Sequence, residues 1–260
     1  MTDFATRYGP WALVTGAAQG VGLAFTEALL ARGCSVVLVD RLDSVQEVSA
    51  DLVGETRAVV SDLADPSWLD SVAAATEDLE LGLVVANAAV SFVGRFLHQP
   101  AASRLATVRV NCLATTELAA WALPPMVARG RGGFVVTSSG SALAGTACVA
   151  TYSASKAYVL NLAEALGWEL KGTGVDVQAV VAPAMDTPGW RSHPVAAANM
   201  FQPAIDPRGV VDAALDRLPE GGWYLADPGL EFVAGVERGE RVDLLSRTTS
   251  ALYPDDYGPS

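Results

Sequence analysis

The sequence has few of the residues that bind metals or form disulfides. Its 260 residues include three cysteines and two histidines, and no two cysteines form a CxxC pair. His98 and His193 lie far apart and have no Cys or carboxylate partners at metal-ligand spacing, so we expect no metal site. The three cysteines are widely separated along the chain, which predicts reduced core thiols and a cytoplasmic location.

Clusters of basic residues and long apolar runs are also missing. The formal net charge is -12, and the resulting acidic surface would repel phosphate backbones and anionic lipid. We therefore expect neither nucleic acid nor a membrane as a partner. The first residues have neither the basic start nor the apolar run of a secretory signal, and no stretch approaches the roughly 18 apolar residues that span a bilayer.

Short apolar runs do alternate with longer segments of helical period. The runs are rich in Val and Leu and almost continuous, which is typical of parallel strands buried on both faces. This alternation predicts a single α/β domain over 1–260 with a doubly wound parallel sheet. The predicted strands cover 11–15, 35–39, 58–61, 81–86, 133–137, 175–181 and 223–226. The predicted helices cover 20–32, 67–79, 101–128, 152–171 and 207–218, with a weaker candidate at 42–53.

A glycine-rich turn, TGAAQGVG at 15–22, follows the first predicted strand and precedes the first predicted helix. Glycines let a backbone approach a pyrophosphate closely, and a helix N-terminus offers free N–H groups and a positive dipole end. A lone glycine motif is weak evidence, but the strand–turn–helix context here predicts a dinucleotide-binding loop.

The second predicted strand leads into Asp40 and Arg41. A carboxylate at that place accepts hydrogen bonds from the adenosine ribose hydroxyls and repels a 2′-phosphate. Arg41 favours the opposite choice, because arginine pairs with phosphate. Since the glycine turn carries no positive charge, we expect NAD as the cofactor, with NADP as the alternative.

A tyrosine and a lysine, Tyr152 and Lys156, share one face of a predicted helix. An ammonium beside a phenol stabilises the phenolate, which predicts a lowered pKa for Tyr152 and a role in proton transfer. Ser139 lies thirteen residues earlier, just after a predicted buried strand, where its hydroxyl can reach a substrate oxygen. An isolated pair of this kind is usually an ordinary surface pair, so it gains meaning only beside a phosphate loop.

Together these residues resemble the short-chain dehydrogenase/reductase family. Its glycine motif TGxxxGxG matches 15–22, its NAG motif matches 87–89, and its YxxxK motif matches 152–156, in the same order. Its adenine-contacting acid, helix asparagine and catalytic serine match Asp62, Asn111 and Ser139. The resemblance spans roughly 15–190 and implies a seven-stranded Rossmann fold and hydride transfer between a nicotinamide cofactor and a carbonyl or secondary alcohol.

The resemblance also implies a role for each matching residue. Tyr152 is the acid/base, Lys156 holds the nicotinamide ribose, Ser139 orients the substrate oxygen and Asn111 supports a water-linked proton relay. The expected cofactor contacts are Gly16, Gln19, Gly20, Val21, Gly22, Asp40, Arg41, Asp62, Leu63, Asn87, Ala88, Tyr152, Lys156, Pro183, Met185 and Thr187.

Three departures from the family pattern stand out. Ala89 replaces the glycine of the NAG motif, and the family's PGxxxT loop reads PAMDT at 183–187, one residue short and without its glycine. The family's glycine-rich ending is absent, and the pattern assigns no element after Gly229. A substrate loop is expected near 185–205, where Trp190, Met200 and Phe201 are either core residues or a cover for an apolar substrate.

Two alternatives to a dehydrogenase stay open at this point. One is a non-catalytic NAD(P)-binding sensor or scaffold, and the other is a dehydratase or epimerase on the same scaffold. The helices at 101–128 and 152–171 carry apolar residues on more than one face. Because the family pairs these helices across a two-fold axis, we expect a homodimer or homotetramer that acts on a small-molecule substrate.

Overall fold

The structure is a computed structural model that describes residues 3–191 and 204–252. Strands in this part of the chain are β1 Trp11–Thr15, β2 Ser35–Asp40, β3 Thr56–Val60, β4 Leu81–Ala86, β5 Gly132–Ser139, β6 Val175–Ala182 and β7 Gly222–Leu225. All of their pairings are parallel, and the order across the sheet is β3-β2-β1-β4-β5-β6-β7. The predicted seven-stranded, doubly wound sheet is confirmed.

Helices cover both faces of this sheet. They are α1 Phe4–Tyr8, α2 Gly20–Ala31, α3 Val45–Asp51, α4 Trp68–Ala75, α5 Ala101–Val108, α6 Ala114–Arg129, α7 Ala150–Glu169, α8 Pro188–Arg191, α9 Pro207–Arg217, α10 Pro228–Gly235 and α11 Arg238–Leu252. One core cluster joins one face of the sheet to α4, α6 and α7, and a second joins the other face to α1, α2 and α9. This explains why the strands are apolar at successive positions rather than at alternate ones.

The direction of strand order reverses between β1 and β4, which are neighbours in the sheet. In an open α/β sheet, ligands bind in the crevice at the carboxyl ends of the strands where the order reverses. The glycine turn after β1 and the NAG-like segment after β4 therefore meet at the binding edge of the sheet.

The sequence-based boundaries are close to the structure, with three differences. The helix predicted at 101–128 is interrupted by a π-helical turn, Arg109–Leu113, which separates α5 from α6. The short helices α1 and α8 were not predicted, and the region after Gly229 forms most of α10 and all of α11. No helix in 3–191 or 204–252 is long and apolar enough to cross a bilayer.

Candidate active site

The glycine turn packs so closely that side chains are excluded. A Cβ on Gly22 would lie 2.0 Å from the carbonyl oxygen of Gly16, and Gly16 itself has a φ of 69°. A Cβ on Gly20, whose φ is 59°, would lie 3.2 Å from the Thr187 side chain. Val21 follows in the first turn of α2, and Gln19 lies exposed before it. The turn thus presents bare backbone and a helix N-terminus at the switch point, as a phosphate-binding loop requires.

Asn87 and Thr15 fasten the turn to the ends of the neighbouring strands. The Asn87 side-chain amide donates to the carbonyl of Thr15 at 3.0 Å. The Thr15 hydroxyl accepts from the backbone N–H groups of Asn87 and Ala88, both at 3.1 Å. Sequence reasoning assigned no role to Thr15, although its place as the first residue of the motif is a signal for this anchoring.

Asp40 is buried at the end of β2 and holds the glycine turn through its carboxylate. One oxygen accepts from the backbone N–H of Ala18 at 2.9 Å, and the other accepts from Leu42 N–H at 3.0 Å. Each oxygen keeps a lone pair for a further donor. Arg41 is exposed beside it.

The remaining predicted cofactor contacts lie around the same edge of the sheet. Leu63 is buried, while the exposed Asp62 accepts from Ala64 N–H at 2.9 Å and so shapes the turn after β3. Pro183, Met185 and Thr187 are half-buried after β6.

The Thr187 hydroxyl accepts from Trp190 N–H at 3.2 Å and caps α8. An isolated parallel β-bridge between Met185 and Ile205 joins the two ends of the predicted substrate loop. Met200, Phe201 and His193 lie outside the described residues.

The proposed catalytic side chains come from the end of β5 and the start of α7. Ser139 is the last residue of β5, and Tyr152 and Lys156 occupy the first two turns of α7. The Ser139 hydroxyl interacts with the Tyr152 phenol. Neighbouring Ser138 is buried and donates to the Lys156 carbonyl at 2.9 Å, so Ser139 is the member of this pair that reaches the tyrosine.

Lys156 is buried against the sheet with its cation near the tyrosine ring. Its Nζ lies 5.7 Å from the centroid of the Tyr152 ring and donates to the Thr137 carbonyl at 2.7 Å. Burial lowers the pKa of Lys156 to about 8, an effect that the nearby Cys112 thiol partly opposes. A buried ammonium with one carbonyl acceptor is poised to donate to further groups.

The predicted lowering of the Tyr152 pKa is wrong in direction. Burial raises the pKa of this phenol, and the hydrogen bond with Ser139 opposes the rise. The physical reason is that burial destabilises the charged phenolate by more than the neighbouring polar groups stabilise it. Tyr152 therefore holds its proton at neutral pH, which is the form of a general acid.

Asn111 lies in the π-helical turn, and its side chain makes three hydrogen bonds. Its Oδ1 accepts from Val90 N–H at 2.9 Å, and its Nδ2 donates to the Val90 carbonyl at 3.0 Å and to the Ser155 hydroxyl at 2.9 Å. The Asn111 side chain thus clamps the segment after β4 to α7. Ser155, which completes this clamp, was not singled out from the sequence.

Within the described ranges, no three His, Cys, Asp or Glu side chains converge in a way that could hold a metal ion.

Comparison with known proteins places this geometry in a family. The profile of the short chain dehydrogenase family matches residues 10–195. A 7β-hydroxysteroid dehydrogenase of Collinsella aerofaciens is 31% identical over 221 residues, which cover 82% of this chain and 84% of the relative. A human relative named inactive hydroxysteroid dehydrogenase-like protein 1 is 31% identical over 187 residues, covering 69% of this chain and 57% of that protein.

Solved structures agree with these matches. The structure of a 7β-hydroxysteroid dehydrogenase superposes with a TM-score of 0.84 at 28% identity, covering 94% of this chain and 99% of that chain. A short-chain dehydrogenase from Sphingobium yanoikuyae in complex with NADPH has a TM-score of 0.76 at 27% identity, covering 97% and 98% of the two chains. This chain belongs to the short-chain dehydrogenase family and is an oxidoreductase that transfers hydride between a nicotinamide cofactor and a carbonyl or secondary alcohol.

Proposed function

We propose that this chain is an NAD-dependent dehydrogenase for secondary alcohols on bulky apolar ring systems, of the hydroxysteroid class. The carrying observation is the extent of the likeness to the 7β-hydroxysteroid dehydrogenase structure, which covers 94% of this chain. The uncovered remainder is shorter than α10 and α11 taken together. The likeness therefore extends into the C-terminal region, where this chain departs from the family pattern.

An exposed apolar group beside the site supports a large apolar substrate. Phe92, Phe96 and Leu97 are 39%, 51% and 86% exposed in the loop that follows β4. Gly94 in this loop donates its N–H to the Cys148 carbonyl at 2.9 Å, which places the loop next to the segment before Tyr152. Large apolar side chains exposed beside a site commonly mark a binding surface.

The cradle around the glycine turn fits a dinucleotide. Gly16 and Gly22 pack against neighbouring protein atoms where no Cβ fits, so the turn stays bare backbone, and α2 directs free N–H groups toward it. The residues that would hold the pyrophosphate are Gly16, Gln19, Gly20, Val21 and Gly22. Those that would hold the adenosine are Asp40, Arg41, Asp62 and Leu63. Those that would hold the nicotinamide half are Asn87, Ala88, Tyr152, Lys156, Pro183, Met185 and Thr187. When bound, the cofactor supplies the hydride acceptor or donor.

The chain's own residues then transfer the proton. In alcohol oxidation the Tyr152 phenolate removes the hydroxyl proton, and in ketone reduction the phenol returns it. Ser139 holds the substrate oxygen by a hydrogen bond, and the Lys156 ammonium stabilises the phenolate and holds the cofactor ribose. Asn111 keeps α7 in register with β4 through its contacts to Val90 and Ser155.

NAD is the proposed cofactor because of Asp40. Its carboxylate ends β2 beside the glycine turn and is buried, so a 2′-phosphate placed there would meet a negative charge that water screens only in part. Exposed Arg41 favours NADP instead, because arginine pairs with phosphate. The assignment is tested by the ratio of kcat/KM for the two cofactors.

The broader proposals concern the whole chain. We propose one domain over 1–260 with a substrate loop near 185–205, and a homodimer or homotetramer assembled through α5, α6 and α7. Exposed apolar residues on these helices and on the π-helical turn between α5 and α6 support the assembly: Leu105, Val108, Leu113, Tyr158 and Trp168. Three buried cysteines that are widely separated along the chain, Cys34, Cys112 and Cys148, support a reducing, cytoplasmic setting. Light scattering tests the assembly, which predicts a mass of two or four times 27.0 kDa.

A substrate panel tests the function. The purified chain is assayed by nicotinamide absorbance with a 7β-hydroxysteroid, cyclohexanol and 2-propanol, each with NAD and with NADP. We expect the steroid to give the highest kcat/KM, with NAD preferred. Turnover of the small alcohols alone would refute the substrate class. Tight NAD binding without any turnover would favour a non-catalytic sensor or scaffold. Dehydration or epimerisation without net redox change would favour a dehydratase or epimerase.

A further inference from the structure

The two C-terminal helices pack on the segment that directly follows Ser139. Gly140 lies against α10, and a Cβ on it would be 2.5 Å from the Leu230 side chain. Leu143 ends the short 3-10 turn Gly140–Leu143 and is buried in the same core cluster that Leu230 joins. The backbone between β5 and α7 therefore takes its position from α10 as well as from the sheet.

Arg241, in the first turn of α11, makes a long-range contact to this segment. Its Nη1 donates to the Leu143 carbonyl at 2.9 Å, across 98 residues of sequence. Its Nη2 donates to the carbonyls of Ala234 and Val236, both at 2.7 Å, at the C-terminal end of α10. One guanidinium thus joins three backbone carbonyls, and its planar fork suits this better than a lysine ammonium would.

Ser246, further along α11, contacts the other end of the same segment. Its hydroxyl accepts from the backbone N–H of Ala147 at 3.1 Å. Thr146, one residue earlier, donates its N–H to the Ser153 hydroxyl at 3.3 Å, in the first turn of α7 next to Tyr152. The stretch 143–147 is therefore held at both ends by α11 and is tied directly to the helix that carries the tyrosine.

We propose that Arg241 and Ser246 are positioning residues that fix Ser139 against Tyr152, so that α11 is part of the catalytic apparatus. The proposal rests on the roles assigned above to these two catalytic side chains. Only the short 3-10 turn separates Ser139 from Leu143, so a shift of Leu143 is transmitted to the serine. A misplacement of about 1 Å at a reacting centre can cost roughly 100-fold in rate.

The Tyr152 pKa reports this positioning separately from stability. Ser139 lowers the pKa of the phenol, while burial raises it. The other ionisable groups nearby are Lys156, whose Nζ lies 5.7 Å from the ring centroid, and Cys112, which acts on Lys156. Arg241 donates only to backbone carbonyls. Loss of the Arg241 side chain therefore affects the Tyr152 phenol only by displacing Ser139. The pKa of Tyr152 then rises, because the hydrogen bond that lowers it is weakened.

The experiment compares Arg241→Met, Arg241→Lys and Ser246→Ala with the control Arg247→Met, which changes an exposed arginine of the same helix. The best alcohol of the panel above is assayed with NAD across pH, below each variant's melting temperature. Hydrogen exchange of 140–149 and NAD binding by fluorescence quenching are measured on the same proteins. Ser139→Ala and Tyr152→Phe serve as references for loss of the two catalytic groups.

For Arg241→Met we expect kcat to fall about 10- to 100-fold and hydrogen exchange in 140–149 to become faster. The NAD affinity should stay within about twofold of wild type, because the guanidinium does not touch the glycine turn. The rise of activity with pH moves upward by roughly half a unit or more, as expected for losing a hydrogen bond to the phenol. Arg241→Lys recovers part of the loss, and Arg247→Met behaves as wild type.

An unchanged kcat and pH profile in folded Arg241→Met would overturn the proposal, as would lower stability without a shifted profile. If that variant does not fold, Ser246→Ala decides in the same way, because it removes the Ala147 contact and leaves Arg241 in place. Full activity in Tyr152→Phe or Ser139→Ala would instead refute the proposed function.

Discussion

Replacing Asp40 by alanine should reverse the cofactor preference. The carboxylate lies at the end of β2 and accepts one backbone N–H on each oxygen. Two unit charges about 4 Å apart interact by roughly 4 kcal/mol near a protein surface, and partial solvent access at the rim of the site reduces this to about half. Removing that repulsion, with exposed Arg41 left to pair with phosphate, should change the relative kcat/KM for NADP and NAD by roughly 30- to 150-fold, or about 2–3 kcal/mol.

The assay is the ratio of kcat/KM values for the two cofactors with one substrate. Asp40→Ala also removes two charge-assisted hydrogen bonds, which contribute about 1.5–3 kcal/mol each, so a lower melting temperature and weaker binding of both cofactors are expected. The ratio cancels this shared loss. Asp43→Ala is the matched control, because it removes an exposed carboxylate three residues further on. An unchanged ratio in Asp40→Ala would show that the carboxylate does not face the ribose.

Two further predictions follow from the site. The rate of alcohol oxidation should rise as pH increases, and the rate of ketone reduction should fall. Oxidation needs the Tyr152 phenolate and reduction needs the phenol, and burial raises the pKa that separates the two forms. Profiles of kcat/KM against pH in both directions check this, and parallel profiles would contradict it. Gly22→Ala should abolish dinucleotide binding and lower the melting temperature, because the new Cβ would meet the Gly16 carbonyl oxygen. Calorimetric titration with NAD measures the binding, and wild-type affinity would contradict the phosphate-loop assignment.

The sheet could be predicted because its signals are local and repeated. Continuous Val- and Leu-rich runs gave the strands, and the turn at 15–22 marked the point where strand order reverses. The helices α10 and α11 could not be predicted. α10 is a short apolar run that contains proline and glycine, and the many polar residues of α11 leave it no clear apolar stripe. Both helices are held by contacts to distant residues. Leu230 on Gly140 and Arg241 on Leu143 are such contacts.

The site shows the same division between local and long-range information. The spacing of Tyr152 and Lys156 identifies one helix face, and Asp40 follows from its place at the end of a strand. The clamp of Asn111 depends on a π-helical turn that no periodicity reveals. The direction of the Tyr152 pKa was mispredicted because spacing shows a nearby cation but does not show burial.

The most direct test of the central claim is turnover by Tyr152→Phe beside its binding of NAD. Tyr158→Phe is the control, since it makes the same substitution on an exposed position of the same helix. If the phenol carries the proton, Tyr152→Phe binds NAD as wild type does and loses about 100- to 10,000-fold or more in kcat, while Tyr158→Phe keeps its activity. Near-wild-type turnover by Tyr152→Phe would contradict the account.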